Sequence, residues 1–221
     1  MLAAKSHNSL TNFRERTTWK EMQNGNKFQI KYATHKGEWI VESINNLVDA
    51  CQNENGDIFE QYIDVDSAID YYIHACLIGN CDGTDKNFLL STYDGRKWFF
   101  TPYDMDATFG NHWAGHSYYS PEGLEPTIVG YHKWNGVMHM VYKFHKEKLK
   151  ERYVQLRKSV LSEVNVMNMI YNYMALIPEV MKQEEYKLYP KMPGTNTNTA
   201  AQMVEWYRLR CIAMDKEMEA L

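Results

Sequence analysis

CDGTDKNFLLSTYDGRKWFFTPYDMDATFG, Cys81 to Gly110, is the stretch that decides how this chain folds. Two aromatic-rich runs, NFLLSTY (Asn87 to Tyr93) and RKWFFTPY (Arg96 to Tyr103), flank Asp94-Gly95. That pair tolerates positive φ and is the strongest short signal for a β-hairpin. The pattern predicts two antiparallel strands turning at Asp94 and Gly95. Residues opposed across such a turn have numbers summing to about 189, so Asn87 falls opposite the region of Pro102. Asp82, entering the hairpin, and Asp104 and Asp106, leaving it, are thereby carried to one end. Three carboxylates and an amide oxygen gathered there repel one another unless a cation or bound protons compensate. Mg²⁺, which takes oxygen ligands from one or two carboxylates plus substrate phosphates, is the simplest compensation. Asp82 and Asn87 also form D-x-x-x-x-N, the spacing at which a kinase catalytic loop sets its base and a metal-holding amide. The bland alternative is that D-G-T-D is turn material and that Asp104 and Asp106 are solvated turn acids.

Upstream, Ile40, Ile44, Leu47, Val48 and Cys51 recur at three and four, the stripe of an amphipathic helix stopped by NENGD, Asn53 to Asp57. Asp64 or Asp66 can cap a second helix with Ala68, Ile69, Tyr72, Ile73, Cys76 and Leu77 on one face, ended by Gly79. KFQIKY, Lys27 to Tyr32, alternates like a half-buried strand without an evident partner. Downstream, Asp106 to Gly136 is rich in Gly, Pro, His, Trp and Tyr and too long for a routine connection. Its stretch from Asn111 to Gly136 is expected to overhang the acidic site and contact a partner through Trp113, Tyr118, Tyr119 and Trp134. Beyond it, helices are predicted over Val137 to Lys158 and Val164 to Tyr186. A last helix opens at Thr199, where Gln202 completes a capping box.

The 24 basic and 28 acidic side chains leave a net charge of −4, which provides no electrostatic footprint for a nucleic-acid backbone or an anionic membrane. No stretch reaches the length of a membrane span, and MLAAKSHNSL is not a secretory leader as written. A soluble chain is expected, with its compartment left open. Cys51, Cys76, Cys81 and Cys211 show no C-x-x-C and read as free thiols. His112 and His116 stand four apart, but nearby Gly110, Trp113 and Gly115 argue against the helix that would make them a zinc pair. An EF-hand at Cys51 to Tyr62 fails because neither end residue binds calcium as needed.

The series DVDSAIDYYIHACLIGNCDGTDKNFLL, followed by GRKWFFTPYDMDATFG, resembles the core of the spore coat protein H (CotH) kinase family, a divergent set of protein-kinase-like domains. HKEKLKERYVQLRKSVLSE is similar to that family's C-terminal lobe. The resemblance covers about residues 57–221 and implies an α+β, mostly α fold, an atypical kinase-like C-lobe with a small antiparallel hairpin at its active site. Residues 1–56 would be an N-terminal segment, a remnant of or linker to a nucleotide-binding lobe. The resemblance makes Asp82 the catalytic base and Asn87 and Asp104 the residues that hold Mg²⁺ and, through it, ATP. Asp106 is a weaker metal ligand. The implied activity is phosphorylation of Ser or Thr on a coat, surface or secreted protein. Neither G-x-G-x-x-G nor G-x-x-x-x-G-K-[ST] occurs, and the family's arginine–glycine block and phosphate-holding lysine have no match. That departure keeps a second expectation in play: a non-catalytic assembly or host-interaction module, in a spore coat or a phage baseplate, using the lobe as a scaffold.

Overall fold

The computed structural model of the chain describes residues 2–4, 12–24, 27–31, 37–111, 120–122, 135–190 and 199–221. A short helix, α1 (Trp19–Asn24), precedes α2 (Trp39–Gln52), whose buried face is the predicted stripe from Ile40 to Cys51. NENGD stops α2 and also starts α3 (Gly56–Tyr62), which sequence periodicity did not reveal: the Asn55 side chain accepts the Ile58 amide at 3.1 Å. The failed calcium loop is thus a helix cap. Helix α4 (Val65–Ile78) begins where Asp64 accepts the Ser67 amide at 2.8 Å and ends at Gly79, as its pattern required. Gly79 has φ of 68°, and a Cβ there would come within 2.7 Å of the Trp206 ring, so only glycine fits.

Four strands, β1 (Leu2–Ala4), β2 (Gln29–Ile30), β3 (Phe88–Ser91) and β4 (Phe99–Pro102), form one antiparallel sheet in the order β2-β1-β3-β4. The strand expected to stand alone at Lys27 to Tyr32 therefore has a partner, β1, too short to announce itself. The hairpin is present in the expected register, Phe88 opposite Pro102 and Leu90 opposite Phe100. Its turn is not the two-residue one that Asp94-Gly95 suggested. Asp94 accepts the Arg96 and Lys97 amides at 2.8 and 3.0 Å, which makes a longer loop. Trp98 meanwhile leaves β4 to bridge Ile63, and its indole donates to Ser43 at 2.9 Å. Burying that indole with its donor satisfied outweighs two more rungs of ladder.

The sheet sits on α4 through aromatic rings. Phe100 stacks on Tyr71 with centroids 4.7 Å apart, and Phe88 packs between Phe100 (5.1 Å) and Phe13 (5.7 Å). The Phe100 amide donates to Ser67 at 2.9 Å, fixing the hairpin along the helix. Past the short α5 (Asp82–Asp85), α6 (Gly136–Phe144) and α7 (Lys146–Arg157) pack on α4, as does the long α10 (Ala200–Ala220). Between them, α8 (Glu163–Leu176) packs on α10, and α9 (Glu179–Leu188) buries no residue. Each of the two long helices expected after Val137 is broken once: at His145, whose ring lies against Phe59, and at Pro178, which has no amide to donate and pushes Ile177 out of helical geometry. The predicted capping box forms, with Thr199 accepting the Gln202 amide at 3.2 Å and Gln202 accepting from Thr199. Residues on both sides of Gly56 share the sheet and one hydrophobic core running from Phe13 and Phe28 to Tyr207 and Met218. All four cysteines are free thiols, three of them buried. Among the described residues no helix is long and apolar enough to cross a membrane.

Candidate functional site

The site lies where α4 ends. Beyond Gly79 the buried Asn80 folds its side chain forward to accept the Gly83 amide at 2.9 Å, and the Tyr71 hydroxyl donates to the Gly83 carbonyl. A Cβ on Gly83 would meet the Asn80 amide nitrogen at 2.3 Å and the Tyr71 oxygen at 2.8 Å. The glycine after Asp82 therefore lets the loop press against α4. This places Asp82 at the first position of α5, half-buried, with Lys86 Nζ 3.3 Å from its Oδ2 as counter-charge. Lys86, partly exposed, thus faces the candidate base. The loop's far side is held by Asn135, fully buried: its oxygen caps α6 by accepting the Val137 and Met138 amides at 3.0 and 3.2 Å, and its nitrogen donates to the Thr84 carbonyl.

Asn87 follows, buried and left-handed with φ of 52°; Asp104, on the other strand's exit, is exposed with φ of 57°. The register that pairs Phe88 with Pro102 sets Asn87 and Tyr103 one step beyond the last rung, with Asp104 next. Left-handed backbone costs a non-glycine residue about 1–2 kcal/mol, and such strain gathers at functional positions. The segment after Asp104 turns back. Thr108 donates to the Met105 carbonyl at 2.8 Å, Asn111 donates to the Asp106 carbonyl at 3.0 Å, and the Phe109 amide reaches the Ile78 carbonyl at 2.7 Å. Phe109, also left-handed, is seated against Trp206 and Tyr207, centroids 6.1 and 6.0 Å away. Arg210, buried on α10, donates to the Cys76 carbonyl at 2.8 Å in the last turn of α4 and to the Pro121 carbonyl at 3.3 Å.

The structure thus carries Asn87 and Asp104 to one end of the hairpin and ties the Asp104 segment to the helix that presents Asp82. It does not gather three carboxylates: among the described residues no group of three or more His, Cys, Asp or Glu could hold a metal ion. Asp82 has Lys86 as its neighbour, and Asp106 is exposed along a groove with the helical tail. One carboxylate and one amide oxygen suit Mg²⁺, which keeps several waters and completes its shell with substrate phosphate, better than calcium, which needs six to eight oxygens. Asn80, Tyr71, Asn135, Phe109 and Arg210 were not found from sequence. Asn135-Gly136 before an apolar run was a legible cap signal; the others depend on contacts between distant segments. His112, His116, Trp113, Tyr118, Tyr119 and Trp134 lie outside the described residues.

These features define a mostly helical α+β domain with an Asp loop and an Asn–Asp hairpin end held against one central helix. A family model described as CotH kinase protein matches residues 3–214, nearly the whole chain, and the protein belongs to that family. No curated protein matches it.

Proposed function

We propose that the chain is a Ser/Thr protein kinase-like phosphotransferase using ATP and Mg²⁺, with a coat, surface or secreted protein as substrate. The observation that carries this reading is the return of the Asp104 segment to the Asp82 loop, through the hairpin register and the Phe109–Ile78 hydrogen bond. In it Asp82 orients the substrate hydroxyl and accepts its proton as that oxygen bonds to the terminal phosphorus of ATP and the bond to ADP breaks. Asn87 and Asp104 hold Mg²⁺, which when bound neutralises charge on the phosphates. Lys86 keeps Asp82 facing the acceptor, and Gly83 with Asn80 and Tyr71 keeps the loop rigid.

Transfer of labelled terminal phosphate from ATP to a Ser/Thr peptide library tests the reading. It should fall at least about a hundredfold in Asp82→Ala and Asp104→Ala proteins. Transfer undiminished in both variants would remove these roles. Specific Mg-ATP binding at a hundredfold excess over Kd should add about 2.7 kcal/mol of stability; neither shift nor transfer would leave the scaffold alternative.

A further inference from the structure

Beside the Asp104 segment a groove of about 400 Å³ opens between it and the helical tail. Its floor is Met105, Met174, Ile177, Met181 and Met203. Methionine walls adapt to varied apolar side chains without fixing one shape, and the volume is that of a binding pocket rather than a packing defect. The apolar surface continues past the groove on α8 and α9: Leu176 is 76% exposed and Val180 62%. Contiguous exposure of this kind marks an interaction surface.

The charge at the rim narrows the partner. Lys182 is paired with Glu179 at 3.6 Å, whereas the carboxylates of Asp106 and Glu185 have no cationic partner among the described residues. The groove also begins at Met105, the residue after Asp104, so whatever occupies it lies beside the hairpin end that carries Asp104. We infer that this groove seats a large apolar side chain of the protein substrate with a Lys or Arg next to it, selecting acceptor sites by an apolar–basic anchor. The inference rests on the kinase reading above for its purpose, and on the groove's composition and charge for its specificity. Asp106 then serves as a recognition carboxylate.

The test uses the full chain and labelled Ser-containing peptides carrying Leu-Arg, Leu-Glu or Gly-Arg at the anchor, with binding read by fluorescence anisotropy without nucleotide. Leu-Arg peptides should bind at least about tenfold tighter than either companion. Ile177→Asp and Met181→Glu should abolish the difference, and Glu185→Lys should shift preference toward Leu-Glu. Ile177 and Met181 are exposed, so these variants should melt with the parent protein. Equal binding of the three peptides, or a preference that survives Ile177→Asp, overturns the inference. So does a concentration-dependent dimer that Ile177→Asp dissociates while no peptide binds, because the face would then belong to a second copy of the chain. Asp82-dependent transfer indifferent to the anchor would sink the groove and spare the kinase; anchored binding without transfer would do the reverse.

Discussion

The Phe109 amide donates to the Ile78 carbonyl at 2.7 Å, closing a loop of chain that contains Asp82, Asn87 and Asp104. Ile78 ends α4, and Gly79, Asn80 and Cys81 carry the chain directly to Asp82, so one hydrogen bond fixes the acid loop relative to the segment that follows Asp104. Phe109 accepts a left-handed backbone to make it, with Trp206 and Tyr207 holding its ring.

Asn87 separates backbone need from chemistry. Its φ of 52° is relaxed by glycine and costs alanine about 1–2 kcal/mol. Asn87→Gly should melt within about 1 kcal/mol of the parent protein and Asn87→Ala clearly below it. Both should lose Mg-ATP-dependent transfer, because both remove the amide oxygen. Calorimetry with and without Mg-ATP measures the two effects separately; an Asn87→Gly protein with parental transfer would show that only the backbone matters.

Gly83→Ala is expected to be destabilising although glycine to alanine within a helix normally stabilises. The new methyl would have to displace Asn80 and Tyr71, both buried, and break the hydrogen bonds they make to the Gly83 peptide. Leaving those groups unpaired costs about 1–3 kcal/mol each, which for a chain of this size lowers Tm by at least about 2–4 °C. An unchanged Tm would mean that the loop is free to shift.

The hairpin, the two helices flanking NENGD and Asp64, and the capping box were legible because each is encoded by neighbours in sequence: alternating aromatics, a three-four stripe, a cap beside its amide. What was missed is non-local. β1 is three residues long and exists because β2 and β3 offer it edges. The longer hairpin loop follows from Trp98 finding Ser43 across 55 residues, a contact that outbids the local preference of Asp94-Gly95. Asp82, Asn87, Asp104 and Asp106 were selected by spacing and register, which could not show that Asp106 also lines a groove with the helical tail, because that groove depends on segments far apart in sequence.

Asn135 links helix start and acid loop, so its substitutions should be graded. Asn135→Ala removes the α6 cap, worth about 0.5–2 kcal/mol, and leaves the buried Thr84 carbonyl without its donor, about 1–3 kcal/mol more. Asn135→Ser keeps a capping oxygen and loses the donor, so urea denaturation should place it between parent and alanine variant. If Asn135→Ser matches Asn135→Ala, the cap contributes nothing and the Thr84 contact carries the whole effect.

Stability should also fall on mild acidification. Burial holds the His74 and His145 pKa values below the ordinary imidazole value: His74 sits on α4 with its Nδ1 buried and unpartnered, and for His145 desolvation outweighs the opposing pull of Glu60, 3.5 Å away. A lowered folded value means that the unfolded chain binds more protons as pH drops below about 6.5. Their neutral forms therefore stabilise the fold fully above that pH, and the contribution is lost as pH falls toward the folded values. Glu21, Glu54, Asp94 and Glu205, all lowered, act in a separate window below about pH 4.5. Tm should hold steady between about pH 7 and 8, decline from about pH 6.5 to 5, and decline again in the carboxylate range. Replacing both histidines in His74→Gln/His145→Gln should flatten the first decline and leave the second. A double variant whose Tm still falls between about pH 6.5 and 5 as steeply as the parent would place that titration on other groups.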